Sequence, residues 1–151
     1  MMPGPQAERE GTLRAGMALS YSLAWSDVPK VTVVIRKAFG YGACAMCGGG
    51  AGQSVVLAWP GTDFGSLPPS SAVLSAHGKE IEDAADSEKL QRELLAHYSR
   101  MAGPLHAATK FSIDNVIDLR ETKVRIIRAL ELALSRRSVP AAPTQRYGVM
   151  P

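Results

Sequence analysis

The chain has 151 residues and a mass of 16.1 kDa, and its 46% hydrophobic and 21% charged residues are typical of a folded domain. Two cysteines are too few for a disulfide-stapled secreted domain, and the sequence contains neither an apolar run of about 20 residues nor the core of a signal peptide. The net charge of +3 reflects a basic C-terminal stretch that glutamates interrupt, which favours a solvated helix face over nucleic-acid binding. We therefore expect a cytoplasmic protein with neither a membrane nor a nucleic-acid partner.

The first half of the chain is predicted to alternate helix and strand. Residues 12–25 should form an amphipathic helix, because apolar side chains recur there at four-residue spacing. The members of this face are Leu13, Met17, Tyr21 and Trp25. The β-branched run at 31–35 lacks polar alternation, which is typical of a parallel strand covered on both faces. A second such strand is expected at 54–59, and 63–67 is a candidate for a short third strand.

The second half is predicted to be mainly helical. Helices are expected at 72–82, 87–101 and 120–137, with a short strand at 113–117 and an extended tail at 139–151. The residues expected to face inward on the last helix are Val124, Ile127, Leu130 and Leu134. Asp118, three residues before Glu121, is expected to cap the start of this helix. The element order predicts an α/β fold whose sheet lacks strands on its N-terminal side.

A glycine turn after the first strand is the most informative local feature. The chain passes from the strand through Gly40, Tyr41, Gly42 and Ala43 into a short helix. The first N–H groups of a helix have no intrahelical acceptor and lie in the positive field of the helix dipole. Such a corner can hold an anion, a phosphate or a developing oxyanion. Tight packing of strand against helix explains the glycines equally well.

A dinucleotide-binding fingerprint is a second interpretation of the same turn. Gly40, Gly42 and Ala45 match G-x-G-x-x-G/A, and Asp63 lies downstream as a candidate ribose ligand. Lys37, Ala38 and Phe39 lie between the strand and Gly40, however, and Asp63 falls after Pro60 rather than at the tip of the second strand. These departures make a nucleotide-binding domain the less favoured alternative.

Cys44 and Cys47 form a C-x-x-C pair in the same segment. This spacing suits a redox pair or half of a zinc site. The histidines of the chain show no spacing that would complete a metal site. We therefore interpret the cysteines as buried packing residues and predict no metal.

At this turn the sequence also resembles a known family. Residues 28–48, VPKVTVVIRKAFGYGACAMCG, followed by LAWP at 57–60, are similar to the carboxyltransferase (beta) subunits of biotin-dependent acyl-CoA carboxylases. IDNVIDLRETK at 113–123 resembles the family pattern I-D-x-V-I-D-P-R-E-T-R, and RYGVMP at 146–151 is similar to its H-G-x-x-P ending. These segments occur in the family's order across nearly the whole chain.

The resemblance implies a crotonase-like fold made of stacked βα units. It places residues 1–138 in the C-terminal part of the second of two such domains, on the biotin side, with 139–151 as a tail. The missing strands would then belong to the part of the domain that has no counterpart here. In the family fold the first, N-terminal domain holds most of the acyl-CoA site, and the resemblance gives that domain no counterpart here.

The resemblance also implies a mechanism and partners. The family transfers a carboxyl group from carboxybiotin to an acyl-CoA, and two backbone amides at the glycine corner stabilise the charge on the biotin urea oxygen. Carried onto this chain, the donors are the N–H groups of Gly42 and Ala43, or of Tyr41 and Gly42 if the register shifts by one. Phe39, Gly40 and Tyr41 would shape the biotin site. Biotin would arrive on a biotinylated carboxylase (alpha) subunit or carrier domain, acyl-CoA would bind a missing or partner domain, and a homo-oligomer is expected.

The chain departs from the family pattern at several positions. Leu119 replaces a proline and Tyr147 replaces a histidine. Residues 63–68 differ from the usual E-I-x-V-M-G, so acyl specificity cannot be carried over. A catalytically inactive remnant or assembly module of the same fold is therefore the main rival hypothesis.

Overall fold

The computed structural model describes residues 4–26, 28–46 and 53–135, which form a mixed α/β structure. The helices are α1 (Pro5–Arg9), α2 (Thr12–Trp25), α3 (Gly40–Ala45), α4 (Pro69–Glu82), α5 (Ser87–Ala102), α6 (Pro104–Thr109), a 3₁₀ turn (Leu119–Glu121) and α7 (Thr122–Ser135). The strands are β1 (Val31–Val34), β2 (Lys37–Phe39), β3 (Val55–Ala58), β4 (Asp63–Gly65) and β5 (Asn115–Val116). Among these helices, none is both long and apolar enough to cross a membrane.

Two small parallel sheets organise the described chain. The first has the order β1-β3-β5, with Val31 opposite Val55 and Leu57 opposite Asn115. The second pairs β2 with β4 and places Phe39 opposite Gly65. The parallel pairing of the two β-branched strands is confirmed. The candidate third strand exists as well, but it joins β2 in the second sheet rather than extending the first.

The core lies where β3 meets α6. Val56, Ala58, Ala107 and Ile113 form a buried cluster, and Ala58 is fully buried. Aliphatic side chains of modest size therefore fill the interior, in keeping with the low aromatic content of 6%. β1 is only half-buried along its length, so the prediction that both of its faces are covered is wrong for the described chain.

The long predicted helices are confirmed, while three short elements, α1, β2 and α6, were missed. α2 has the predicted bounds of 12–25, and α5 extends the predicted 87–101 by one residue. α4 begins at Pro69, three residues earlier than predicted, because proline is well suited to the first turn of a helix. α1, β2 and α6 were not predicted, since each has six residues or fewer and shows no full period.

The predicted inward face of α7 is wrong. Val124, Ile127 and Leu134 are 66%, 45% and 53% exposed. Ala129 is buried instead, and α7 packs on β1. A small side chain lets the helix approach the sheet closely, which leaves Val124, Ile127 and Leu134 on the outer surface of the described chain, while Leu130, the fourth predicted residue, is half-buried. The predicted tail at 139–151 lies outside the described residues.

Asp118 caps the chain where the last helix begins, as predicted. Its Oδ1 accepts hydrogen bonds from the Arg120 backbone N–H at 2.8 Å and from Arg120 Nε at 3.0 Å, and its Oδ2 accepts one from the Arg120 guanidinium at 2.9 Å. The side-chain hydrogen bond, followed by the backbone one, lowers the pKa of Asp118 below its usual value. The cap is thus formed by the charged carboxylate.

This cap should make stability depend on pH in the acid range. A carboxyl whose pKa is lower in the folded than in the unfolded chain stabilises the fold above its unfolded pKa, and this contribution is lost as pH falls through the folded pKa. We therefore expect Asp118→Asn to flatten the dependence of Tm on pH below about pH 4. Calorimetric melting between pH 7 and pH 2 measures this. Asp83→Asn, which removes an exposed carboxyl at the end of α4, should leave the slope as it is; equal flattening by both variants would contradict the assignment.

Phe111 occupies a backbone position that normally requires glycine. The N–H groups of Phe111 and Ser112 donate to the carbonyls of Ala108 and Ala107, at 3.0 and 2.9 Å, which closes α6 with a Schellman motif. The residue at this point must adopt a left-handed conformation, and Phe111 has φ 55°. Its side chain is also 96% exposed, so it gains no packing within the described chain.

Phe111→Gly is expected to raise the free energy of unfolding by about 1 kcal/mol, because a Cβ in the left-handed region is sterically costly. Thermal or urea unfolding measures the change. Phe111→Ala keeps the Cβ and removes only the exposed ring, so we expect it to give no comparable gain. Equal stabilisation by alanine and glycine would show that the ring, rather than the backbone conformation, carries the cost.

Candidate functional site

The candidate site is the corner at which β2 turns directly into α3. Phe39 is the last strand residue, with an extended backbone, and Gly40 follows with φ +63°. A Cβ on Gly40 would also lie 3.4 Å from the carbonyl oxygen of Ser66. The left-handed backbone favours glycine here, whereas the 3.4 Å approach is an ordinary van der Waals distance. The corner therefore lies between α3 and the end of β4.

The first turn of α3 presents backbone donors at this corner. Phe39 is the N-cap and makes no side-chain capping hydrogen bond. Helical geometry provides no intrahelical acceptor for the N–H groups of Gly40, Tyr41 and Gly42. The Ala43 amide lies four residues after Phe39, and the same geometry aims it at the Phe39 carbonyl. The corner can thus donate hydrogen bonds to an oxygen that carries negative charge.

The side chains of Phe39 and Tyr41 hold the corner in place from opposite sides. The Tyr41 hydroxyl lies 3.0 Å from Ser20 Oγ and 3.0 Å from Met17 Sδ, which ties α3 to α2. The Phe39 ring packs against Gly65, where an added Cβ would meet it at 3.7 Å. Any part these two residues play in binding a ligand is therefore confined largely to their backbone and to the shape of the turn.

Only one member of the cysteine pair, Cys44, lies within the described residues. Cys44 is exposed, so its interpretation as a buried packing residue is wrong: its position on α3 faces away from the sheet, whereas Ala45 is buried. Cys47 lies outside the described residues. Within the described ranges, no group of three or more His, Cys, Asp or Glu residues could hold a metal ion.

A groove opens beside the corner and was not foreseen from the sequence. Its volume is about 250 Å³, and it runs between the end of β4, the start of α4 and the last turns of α5. Gly65 and Ser66 contribute both to the groove and to the corner. Tyr98 lines the groove from α5, and its hydroxyl lies 3.2 Å from Nε2 of His77 on α4. A sequence pattern could not reveal this pair, since 21 residues separate the two side chains.

Residues 113–118, the first part of the family-like motif at 113–123, lie against β3. Their contacts hold elements of the fold together. Asp114 Oδ2 accepts the Val56 N–H at 2.7 Å, and the Asp114 N–H donates to the Val56 carbonyl at 2.9 Å. Ile113 and Ile117 are 4% and 2% exposed. The motif therefore fastens β5 to β3 and starts α7; it contributes no side chain to the glycine corner.

Comparison with known proteins assigns nearly the whole chain to a single family. The carboxyl transferase domain family matches residues 1–147. The 12S subunit of methylmalonyl-CoA carboxyltransferase from Propionibacterium freudenreichii subsp. shermanii is 33% identical over 99% of this chain and 28% of its own length. The beta5 subunit of the biotin-dependent acetyl-/propionyl-coenzyme A carboxylase of Mycobacterium tuberculosis is 32% identical, over 99% of this chain and 28% of its own length.

Solved structures agree with the sequence comparison. A crystal structure of transcarboxylase 12S, a hexamer with methylmalonyl-coenzyme A and methylmalonic acid bound, superimposes on the whole chain with a TM-score of 0.88 and 33% identity. This chain covers 29% of that one. The chain thus spans less than a third of the length of these relatives.

Proposed function

Because the chain belongs to the carboxyl transferase domain family and has its crotonase-like α/β fold, we propose that it is the biotin-side part of a biotin-dependent acyl-CoA carboxyltransferase. The observation that supports this most is the glycine corner. It lies in a segment that resembles the family, and helical geometry leaves the first backbone N–H groups of α3 without an intrahelical acceptor. The reaction proposed is transfer of a carboxyl group from carboxybiotin to an acyl-CoA.

The residues of the corner fit the oxygen of a cyclic urea. Biotin, when bound, supplies the carboxyl group, and negative charge develops on its urea oxygen as the carboxyl leaves. In our proposal the N–H of Gly42 donates to that oxygen, together with the N–H of a neighbour. The family resemblance implies that the second donor is Ala43 or, in the alternative register, Tyr41. The position of Phe39 as N-cap favours Tyr41, because the Ala43 amide is aimed into the helix.

Backbone donors suit this task because they are fixed before the ligand arrives. Tyr41 is anchored to α2 through its hydroxyl, and β2, which leads into Gly40, is paired with β4. Little reorganisation is then needed as charge develops, and one such donor contributes about 2.7–4 kcal/mol to transition-state stabilisation. The proposed chemistry needs no ionised side chain from this chain at the urea oxygen.

The proposal requires partners. Because the chain spans less than a third of its relatives, we propose that the acyl-CoA site is supplied by another part of the assembly, either a further domain or a partner polypeptide. Biotin would be carried by a biotinylated carboxylase subunit or carrier domain. A homo-oligomeric arrangement is expected too, in keeping with the hexamer described for transcarboxylase 12S.

Binding of biocytin, which is biotinyl-lysine, tests the proposed function. We expect saturable binding to the full chain by isothermal titration calorimetry, and co-purification of a biotinylated polypeptide with the chain from its source cells. A native complex that holds the chain and a biotinylated partner but shows no affinity for biocytin would favour the assembly-module alternative. Absence of both biocytin binding and a biotinylated partner would reject the proposal.

The assembly-module alternative has one observation in its favour. Large apolar side chains are exposed on several elements, among them Leu105 at 73% and Val124 at 66%. Exposed apolar surface of this kind is typical of faces that another polypeptide covers. A docking role does not use the corner, so substitutions at Gly42 would then leave the complex and its activity unchanged. The nucleotide-binding alternative is weaker, because Asp63 is the first residue of β4, where it pairs with Lys37.

A further inference from the structure

The groove beside the corner has a lining suited to an uncharged ligand. Phe64, Leu67, Pro69, Ala72 and Met101 provide most of its surface. No Lys, Arg, Asp, Glu or His is among its lining residues, and Tyr98 is the sole titratable group there. The phosphates of coenzyme A need cations or several donors, which this lining does not offer. A largely apolar, uncharged group fits its chemistry better.

Tyr98 is the polar feature of the groove, and its neighbours fix its hydrogen-bonding role. Nδ1 of His77 lies 2.7 Å from Oε2 of Glu80, one turn further along α4. An ionised carboxylate only accepts hydrogen bonds, so Nδ1 carries the proton and, in the neutral ring, Nε2 accepts. The Tyr98 hydroxyl therefore donates to Nε2 across the 3.2 Å contact. Its oxygen is left with lone pairs that can accept an N–H group from a ligand.

The groove also continues directly from the corner. Gly65, in the groove lining, is paired with Phe39 of β2. The carbonyl oxygen of the next lining residue, Ser66, approaches Gly40. A ligand whose oxygen meets the amides of α3 can thus extend its remaining atoms along β4 toward α5. A biotinyl group has this composition, with a polar urea at one end and an aliphatic arm that ends in an amide.

We propose that this groove is the subsite for the aliphatic arm of a biotinyl group and that the Tyr98 oxygen accepts a hydrogen bond from the amide N–H of the arm. This inference rests on the proposed function of the corner. Tyr98 acts as a specificity residue, and His77 and Glu80 act through it by orienting its hydroxyl. The subsite therefore distinguishes an amide-linked biotinyl group from free biotin or an ester.

Two matched ligands test the role of Tyr98. The N-methyl amide and the methyl ester of biotin differ in the single N–H that the proposal uses. By calorimetric titration of the full chain, we expect the amide to bind about fivefold more tightly than the ester, the effect of one net hydrogen bond. Tyr98→Phe should make the two affinities equal. A preference that survives in Tyr98→Phe would overturn the assignment of Tyr98.

Two matched substitutions on α4 test the groove itself. Ala72→Trp fills the groove and should weaken binding of both ligands at least tenfold, while Leu74→Trp, on an exposed position of the same helix, should leave the affinities unchanged. Circular dichroism checks that each variant is folded; if Ala72→Trp is not, Tyr98→Phe decides. Biocytin binding that Ala72→Trp does not affect would reject the groove while the proposed function stands. Failure of the unmodified chain to bind biocytin would reject the groove, and it would reject the proposed function as well only if no biotinylated partner co-purifies with the chain.

Discussion

Replacing Gly42 by proline is expected to lower the rate of biotin-dependent carboxyl transfer about 100- to 1,000-fold, the cost of losing one oxyanion donor. Proline has no N–H group, so it removes the proposed hydrogen bond to the urea oxygen. Gly42 is the third residue of α3, within the first turn, where proline breaks no intrahelical hydrogen bond. The rate should be measured in the native assembly that contains the chain, with the acyl-CoA site present.

The matched control is Gly42→Ala, which adds a side chain but keeps the N–H group. We expect this variant to retain far more activity than Gly42→Pro. Biocytin affinity should fall much less than the rate, by about fivefold, because the urea oxygen of biocytin has not developed the transition-state charge. If alanine and proline reduce the rate equally, space at position 42 matters and the N–H does not. If neither reduces it, the corner has no part in the chemistry.

Ile117→Ala is expected to destabilise the fold by about 2–5 kcal/mol. Ile117 is 2% exposed and is among the largest fully buried side chains of the described chain. Its N–H donates to the Ala58 carbonyl at 2.9 Å, so it sits where β5 meets the centre of the sheet. Truncation leaves a cavity that rigid strands cannot close. Urea unfolding, followed by circular dichroism, measures the loss.

Ile117→Val is the graded control, with an expected cost of about 0.5–1.5 kcal/mol. Because position 117 lies in the structural motif rather than at the corner, the folded fraction of either variant should retain its affinity for biocytin. A variant that keeps its stability but loses biocytin binding would instead place the motif in the ligand site.

The sequence predicts the bounds of a long helix well even where its predicted apolar face is partly exposed, as Leu13 (57%) and Trp25 (38%) are on α2. The α2 helix carries its apolar residues at regular spacing and has the predicted bounds. α6 was missed because Gly103 and Pro104 look like a helix stop, whereas here Pro104 opens a new six-residue helix. The wrong face of α7 was predicted because the periodic pattern shows where large apolar residues recur along a helix, and these residues were expected to face inward. Close packing on β1 selects Ala129 instead, and no local signal says which apolar face a sheet covers.

The candidate site likewise has one part that the sequence predicted and one part that it did not. The glycine corner was found because it depends on consecutive residues, Gly40 to Gly42, whose backbone requirement is visible in the sequence. The groove was missed because it depends on contacts between distant segments, such as that of His77 with Tyr98. Neither His77 nor Tyr98 has a neighbour in sequence that hints at the other. Family resemblance supplied the biotin chemistry, which composition and spacing alone did not.

The strand order of the central sheet determines when each edge of β3 can pair during synthesis on the ribosome. β3 pairs on one side with β1 and on the other with β5, which begins at Asn115, far beyond Ala58 in the chain. At a usual elongation rate of about 5–20 residues per second, β3 would emerge roughly 3 to 11 seconds before the strand that covers its outer edge. During this interval the edge of β3 is open to pairing with other nascent chains. Slow elongation between residues 58 and 115 should therefore favour aggregation, and ribosome-bound chaperones that bind extended apolar segments should counter it.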